Sequence, residues 1–231
     1  MNILIVAHHP VYRDTLQKIL SDWFAPSSAT YAADGASAIR HLEAQPFTLL
    51  LLDLEIPDID GFSLADLAVK CSPDIRIIAF ASRCDDYLVW RADRRRIIGF
   101  VDKREAIAWN FHQAIANVEA NLVYYSPNFL RMRLERLKNP MSFDKILSER
   151  EISVLALIAV PYSDDEIATA LRISPETVQK HRFNILKKLG QSTTAQLIRF
   201  ARTRGIVHPI EHLHYEQKNP VTAKMARVAN D

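Results

Sequence analysis

Residues 175–189 carry the side chains with the most informative chemistry in the chain. At about 100° per residue, a helix over this segment places polar, basic and aromatic groups on one outward face: Glu176, Thr177, Gln179, Lys180, Phe183, Asn184 and Lys187. Amide and ammonium groups can hydrogen-bond to base edges, and an aromatic ring can contact a thymine methyl group. The N–H groups that begin such a helix can hold phosphates. This face therefore favours contact with a nucleic-acid duplex.

A second helix, over residues 164–171, is expected to position this face. Ser163 is followed three residues later by Glu166, which is the capping-box pattern of a helix start. Ser174 is a good N-cap, Pro175 suits the first helical position, and Gly190 suits the C-terminal cap. The apolar stripes that pack the two helices together are predicted to be Val178, Ile185 and Leu189 on one helix and Ile167 and Leu171 on the other.

Three segments at fixed spacing extend this helix pair into a longer pattern. They read LSERE at 147–151, DEIA at 165–168 and SPETVQKHRFNILKKLG at 174–190. With these segments, residues 145–207 closely resemble the helix-turn-helix domain of LuxR/NarL-type regulators. The resemblance implies an all-α domain of four helices, in which the third helix reads the major groove and the fourth helps dimerisation.

The resemblance also assigns roles on the third helix. Base contacts fall on Gln179, Lys180 and Phe183, phosphate or positioning contacts fall on Thr177, His181, Lys187 and Lys188, and Asn184 belongs to the same DNA-binding set. Asp165 stands where the family often has Lys, and Phe183 is larger and less polar than the usual residue. Two alternatives remain open: the hairpin is merely amphipathic with a solvated charged face, or His181 is a packing residue bonded to the backbone.

In the first half of the chain, short apolar runs alternate with amphipathic stretches. Strands are predicted near 3–7, 48–54, 75–81 and 99–101, and helices near 11–24, 37–44, 62–69, 87–93 and 105–118. Near-continuous apolar strands between helices indicate a doubly wound α/β domain, whose parallel sheet we expect to have five strands covered on both faces. Ligands of such sheets bind at the carboxyl ends of the strands, where Asp53 is located.

The order of a strand, Asp53, a Pro and Gly segment, and Lys103 after a later strand resembles the receiver domain of two-component response regulators, over residues 1–120. In active receivers the Asp takes a phosphoryl group from a kinase, and two further carboxylates help to hold Mg²⁺, which prefers oxygen ligands. The resemblance places these two carboxylates on Ala7 and His8, the phosphoryl-sensing hydroxyl on Ala81, and the switch aromatic on Phe100.

The pocket expected from the resemblance is therefore only partly present. Asp53 and Lys103 are there, whereas the two metal-binding carboxylates and the phosphoryl-sensing hydroxyl are not. Ala7 offers no ligand, and imidazole is a poor partner for Mg²⁺. We expect Mg²⁺ binding to be weak or absent, with no other cofactor, and Asp53 to fix the pocket by pairing with Lys103 and with protonated His8. In the alternative interpretation, Asp53 still accepts a phosphoryl group with help from His8 or His9.

The charge of the chain is unevenly distributed. Residues 1–120 hold 12 Lys and Arg against 16 Asp and Glu, a net charge of −4, whereas residues 121–231 hold 17 against 11, a net charge of +6. This asymmetry predicts that only the second half meets a polyanion. The longest apolar run, 154–160, is far shorter than the ~20 residues of a membrane span, and two cysteines are too few for a disulfide framework. We expect a cytoplasmic protein without membrane contact.

These patterns predict a receiver-like domain at 1–120, a linker at 121–144, the helix-turn-helix domain at 145–207 and a tail at 208–231. The predicted function is a transcriptional regulator that binds double-stranded DNA as a homodimer, independently of ordinary Mg²⁺-dependent phosphorylation. One alternative is an orthodox regulator phosphorylated on Asp53 by a cognate histidine kinase. Another is a protein that sequesters a second regulator without binding DNA. An enzyme is not expected, because no nucleophile–base pair, phosphate-cradling glycine loop or metal cluster is visible.

Overall fold

The computed structural model describes residues 1–24, 28–160 and 162–207. The strands within these residues are β1 (Asn2–Val6), β2 (Ser28–Ala32), β3 (Leu49–Asp53), β4 (Arg76–Ala81), β5 (Ile97–Asp102) and β6 (Tyr124–Tyr125). The helices are α1 (Pro10–Trp23), α2 (Gly35–Ala44), α3 (Gly61–Cys71), α4 (Asp86–Asp93), α5 (Ile107–Glu119), α6 (Pro127–Lys138), α7 (Phe143–Ile146), α8 (Glu149–Ile158), α9 (Asp164–Leu171), α10 (Pro175–Leu189) and α11 (Thr194–Thr203). The predicted tail, 208–231, lies outside the described residues.

Contacts divide the chain into two compact units. The first holds Met1–Cys84 and Arg91–Arg131, and the second holds Asp85–Trp90 and the described part of Met132–Leu213. In the part of the chain that the structure describes, no helix has the length and apolar character needed to cross a membrane.

One parallel sheet forms the centre of the first unit, with the strand order β2-β1-β3-β4-β5-β6. The order reverses between β1 and β3, so the carboxyl ends of these strands face the crevice in which such sheets bind ligands. β3 reads LLLLD and is buried along its whole length, because helices cover both faces of the sheet. Asp53 is therefore held at the end of a rigid strand.

The sixth strand corrects the prediction of a five-stranded sheet. Tyr124 and Tyr125 lie in the predicted linker, yet they pair in parallel with Gly99 and Phe100 of β5. The Tyr125 ring stacks on Phe129 with 5.0 Å between ring centroids. Two residues are too few to show an alternating pattern, so this strand depends on the edge of β5 and on stacking rather than on a local signal.

The second unit contains a cluster of four helices, α8 to α11, each of which begins at a side-chain cap. Ser148, Ser163 and Thr193 form full capping boxes, and Ser174 accepts the N–H of Thr177 at the start of α10. Gly190 ends α10 with φ at +63°, a left-handed conformation that favours glycine. These caps confirm the predicted boundaries of α9 and α10.

The core of the second unit joins α10 to its neighbours. Val178 and Ile185 of α10 and Ile167 of α9 are fully buried, whereas Leu171 and Leu189 are partly buried against the same cluster. The predicted apolar stripes are therefore confirmed. Because this side of α10 is held in the core, its opposite side must face outwards.

Candidate nucleic-acid interface and receiver pocket

The outward face of α10 presents the polar and aromatic groups expected from the sequence. Gln179, Lys180 and Lys187 are exposed, and the Phe183 side chain is 66% exposed although it is a large apolar group. Within the described ranges, no carboxylate pairs with Lys180 or Lys187. Two unpaired ammonium groups, an amide and an aromatic ring on one rigid helix face can bind phosphates and base edges.

Three further predicted residues lie at the edges of this face. Thr177 is half-buried in the first turn of α10, where its hydroxyl lies 3.1 Å from the Ser174 hydroxyl. Asn184 is half-buried beside Phe183 in the chain. His181 is also half-buried, and its Nδ1 atom is buried with no hydrogen-bond partner in the part of the chain that the structure describes. The backbone hydrogen bond considered for His181 is therefore not formed through Nδ1.

Lys188 differs from Lys187, because its ammonium group is already bound. Lys188 Nζ donates to Glu151 Oε2 at 2.7 Å, and this Glu151 side chain is only 4% exposed. The N–H of Ser148 donates to the same oxygen at 2.8 Å. Burial alone would raise the pKa of Glu151, but the bonds from Lys188 and Ser148 outweigh it and lower the pKa. The pair ties α10 to the start of α8, a role that sequence reasoning missed.

Glu151→Gln is expected to lower the free energy of unfolding of the second unit by about 1–2 kcal/mol at pH 7, because charge-assisted bonds are lost. The folded-state pKa of Glu151 lies below its unfolded value, so its contribution is present above the unfolded pKa and lost as pH falls through the folded pKa. The difference between the two proteins should therefore shrink as pH falls into the acid range, which urea unfolding at pH 7 and in acid measures. Glu166→Gln, in the exposed capping box of α9, is the control, with an expected loss below about 1 kcal/mol. If Glu151→Gln lowered the free energy of unfolding by the same amount at both pH values, the ionic role of Glu151 would be contradicted.

Asp164 and Asp165, the first two of three acidic residues in the first turn of α9, have structural explanations. Asp164 forms an ion pair with Arg182 of α10, a contact that sequence reasoning did not identify. Asp165, the departure from the family pattern, lies exposed in the first turn of α9. A carboxylate in the first turn stabilises a helix through the helix dipole, so Asp165 suits this position without a partner.

The receiver pocket is built around Asp53 and Lys103, as predicted. Lys103 Nζ donates to Asp53 Oδ1 at 2.6 Å, and the two side chains are 4% and 3% exposed. The N–H of Glu55 also donates to Asp53 Oδ1, at 3.0 Å. Burial raises the pKa of the Asp53 carboxyl above its ordinary value, and the bond from Lys103 opposes this shift only in part. Lys103 Nζ also lies 4.5 Å from the ring centroid of Tyr12, a favourable place for a buried cation.

Glu55 is a third member of the pocket that sequence reasoning missed. Its carboxylate accepts hydrogen bonds from Lys103 Nζ at 2.9 Å and from the Ser82 N–H at 3.0 Å, both at Oε2, and from the Arg83 N–H at 3.3 Å at Oε1. Burial acts to raise the pKa of Glu55, but these bonds outweigh it and lower the pKa. The sequence signal is an acidic residue two positions after Asp53.

The predicted contribution of His8 to the pocket is wrong. His8 is exposed, and its Nδ1 lies 3.4 Å from the carbonyl oxygen of Ala33 rather than near Asp53. The imidazole of His8 is therefore not among the groups that contact Asp53.

The remaining pocket positions carry no polar side-chain group. Ala7 and Ala81 are fully buried at the carboxyl ends of β1 and β4. Phe100 is also fully buried and stacks on Phe129 with 4.5 Å between ring centroids. At the positions of the phosphoryl-sensing hydroxyl and the switch aromatic, the chain thus has apolar side chains that are packed in the core.

These residues do not fit the Mg²⁺ ion that receiver domains use. Mg²⁺ requires near-octahedral oxygen ligands, and the pocket offers Asp53 and Glu55, whose carboxylates already bind the Lys103 ammonium. Among the described residues, no group of three or more His, Cys, Asp or Glu side chains could hold a metal ion.

Comparison with known proteins is consistent with both units. Residues 3–115 match the response regulator receiver domain, and residues 145–201 match the bacterial regulatory proteins of the luxR family. The Fimbriae Z protein of Salmonella typhimurium is 27% identical over 208 residues, which cover 89% of this chain and 98% of that protein. The response regulator protein VraR of Staphylococcus aureus is 28% identical over 207 residues, which cover 90% and 99%.

A solved structure supports the same fold. The structure of two RcsB dimers bound to two parallel DNAs aligns with a TM-score of 0.60 at 22% identity, covering 88% of this chain and 98% of that chain. Two family matches along one chain, relatives aligned over nearly their whole length and a shared fold agree with the geometry of both units. The chain therefore belongs to the response regulators in which a receiver domain is followed by a LuxR-family helix-turn-helix domain.

Proposed function

We propose that this chain is a cytoplasmic transcriptional regulator that binds double-stranded DNA through the outward face of α10. The observation that carries the proposal is the combination of unpaired Lys180 and Lys187 with exposed Gln179 and Phe183 on one helix face. An exposed aromatic residue among cations has little value to an isolated domain but can contact a thymine methyl group. The similar RcsB protein has been solved bound to DNA, which supports this use of the fold.

The residues of α10 divide by what they can reach. Gln179, Lys180 and Phe183 are proposed to contact bases, and Lys187 to contact phosphate. Thr177, His181 and Asn184 are proposed to position the helix at the edges of the groove. The Lys188 ammonium is bound to Glu151, so of its two predicted roles we favour positioning over direct phosphate contact.

We propose that the active species is a homodimer, with two copies of α10 occupying two half-sites. Trp109 of α5 and Trp23 of α1 are 62% and 67% exposed. Both rings lie against His112, with centroid distances of 6.0 Å and 4.8 Å. Exposed aromatic surface on the first unit is consistent with self-association, and the similar RcsB protein binds DNA as dimers.

We further propose that Mg²⁺-dependent phosphorylation of Asp53 does not switch this receiver. The support is the ligand set: Ala7 and exposed His8 replace two oxygen ligands, and Lys103 already neutralises Asp53. Control would then come from protein level, from a protein partner or from another ligand. An orthodox regulator served by a histidine kinase remains the competing proposal, and it requires a stable aspartyl phosphate.

The DNA proposal is tested by fluorescence anisotropy with the full chain and a labelled duplex from its own promoter. Binding is expected without any phosphodonor, and log K should fall linearly with log salt, losing about tenfold or more when salt rises from 50 to 200 mM. A control duplex of scrambled sequence should bind more weakly with a similar dependence on salt. Failure to bind any duplex at low salt, together with capture of another regulator, would support the sequestering alternative instead.

A further inference from the structure

Three N–H donors from two separate segments converge beside Asp53. Lys103 Nζ comes from the residue after β5, whereas the Ser82 and Arg83 N–H groups follow β4. An ammonium group next to two successive backbone N–H groups is the chemistry of a site for an oxyanion. The anion that these donors hold here is the Glu55 carboxylate, at distances of 2.9, 3.0 and 3.3 Å.

Both oxygens of Glu55 take part, which makes the contact a clamp rather than a single bond. Oε2 accepts from Lys103 and Ser82, and Oε1 accepts from Arg83. The lowered pKa of Glu55 is consistent with a carboxylate that is ionised at neutral pH. Glu55 thus links the end of β3 to the segment that leads from β4 into α4.

Glu55 lies between this donor set and solvent. Its side chain is 34% exposed, compared with 3% for Asp53 and 4% for Lys103. A free oxyanion that entered from solvent would have to displace the Glu55 carboxylate. It would also be repelled by the carboxylates of Asp53 and Glu55, whose combined negative charge exceeds the single positive charge of Lys103. The Glu55 carboxylate therefore excludes a free oxyanion both by occupying the three donors and by electrostatic repulsion.

We infer that Glu55 is a built-in anion that occupies the oxyanion site of the receiver and holds the segment after β4 in place without any phosphoryl group. Removing its carboxylate opens a site for a free tetrahedral oxyanion such as inorganic phosphate. The inference rests on the proposed function only in treating this pocket as the control site of the receiver, since the donor geometry does not depend on DNA binding.

The test is a titration of the ¹⁵N-labelled full chain with inorganic phosphate at constant ionic strength, followed through the backbone amide signals of Ser82 and Arg83. Glu55→Ala is expected to show saturable shifts of both signals, with binding at least about tenfold tighter than in the unmodified chain, because a like charge has been removed from the site. Glu119→Ala removes an exposed carboxylate of the same unit and should behave as the unmodified chain.

Glu55→Gln keeps the size of the side chain and one acceptor oxygen, so it covers the case in which Glu55→Ala does not fold. It should bind phosphate more tightly than the unmodified chain and more weakly than Glu55→Ala. The inference is overturned if a folded Glu55 variant shifts Ser82 and Arg83 no more than the unmodified chain does, or if phosphate shifts only amides of α10. A chain that fails to bind DNA but shows the Ser82 and Arg83 response would refute the proposed function and leave this inference standing.

Discussion

Replacing Lys187 by glutamate is expected to weaken binding of every DNA duplex roughly 10- to 100-fold at low salt, because under the proposed function each protomer loses a phosphate contact and gains a repulsive charge. The slope of log K against log salt should become shallower by about one unit per protomer. Lys187 is exposed in the last turn of α10 and has no carboxylate partner within the described residues, so its replacement should lower the free energy of unfolding by no more than about 1 kcal/mol, through the helix dipole.

Two further variants separate phosphate contact from base readout. Gln179→Ala is expected to change the order of preference among duplexes while leaving the salt dependence as it was. Lys18→Glu makes the same charge change on an exposed residue of α1 and controls for net charge. If Lys187→Glu and Gln179→Ala altered affinity in the same way across all duplexes, the division of roles along α10 would be wrong.

Replacing Lys103 by methionine is expected to lower the free energy of unfolding of the first unit by about 3–5 kcal/mol at pH 7, because it leaves a buried carboxylate without its cation. Asp53 and Lys103 are 3% and 4% exposed, so water cannot replace the lost partner. Urea unfolding of the full chain measures the effect.

The double variant with Asp53→Asn and Lys103→Met should recover much of this loss, since it removes the stranded charge along with its partner. The pKa of Asp53 is raised by burial, so the carboxyl of the single variant can take up a proton as pH falls, and the deficit should shrink in acid. If Lys103→Met lowered the free energy of unfolding by less than about 1 kcal/mol at neutral pH, the pair of Asp53 and Lys103 would not be what maintains the pocket.

The parts of the fold that follow from local patterns were predictable. β3 is a run of four leucines before Asp53, and α10 carries Ser174, Pro175 and Gly190 at its two ends. Patterns of this kind act over a few residues, so they can be read without knowing the tertiary structure. The pairing of Asp53 with Lys103 was also predictable, because parallel strands bring their carboxyl ends to the same edge of a sheet.

Contacts between residues far apart in the chain were not predictable in this way. Lys188 and Glu151 are 37 positions apart. The apolar stripe of α10 places Lys188 and Lys187 on different sides of the helix, but nothing in the sequence shows that Lys188 meets a carboxylate there. Their difference arises from the rotation of α10 about its axis, which the buried Val178 and Ile185 determine. The same limit applied to Glu55, whose donors are brought to it by the strands that lie beside β3.

The most direct measurement is the intact mass of the full chain after incubation with a small acyl phosphodonor and Mg²⁺, with a typical phosphorylatable receiver treated in parallel. We predict that the mass stays unchanged and that affinity for the promoter duplex is the same before and after treatment, because Ala7 and His8 provide no oxygen ligands and Lys103 holds Asp53. A stoichiometric phosphate adduct on Asp53, accompanied by tighter DNA binding, would contradict this prediction and establish an orthodox phosphorylated switch.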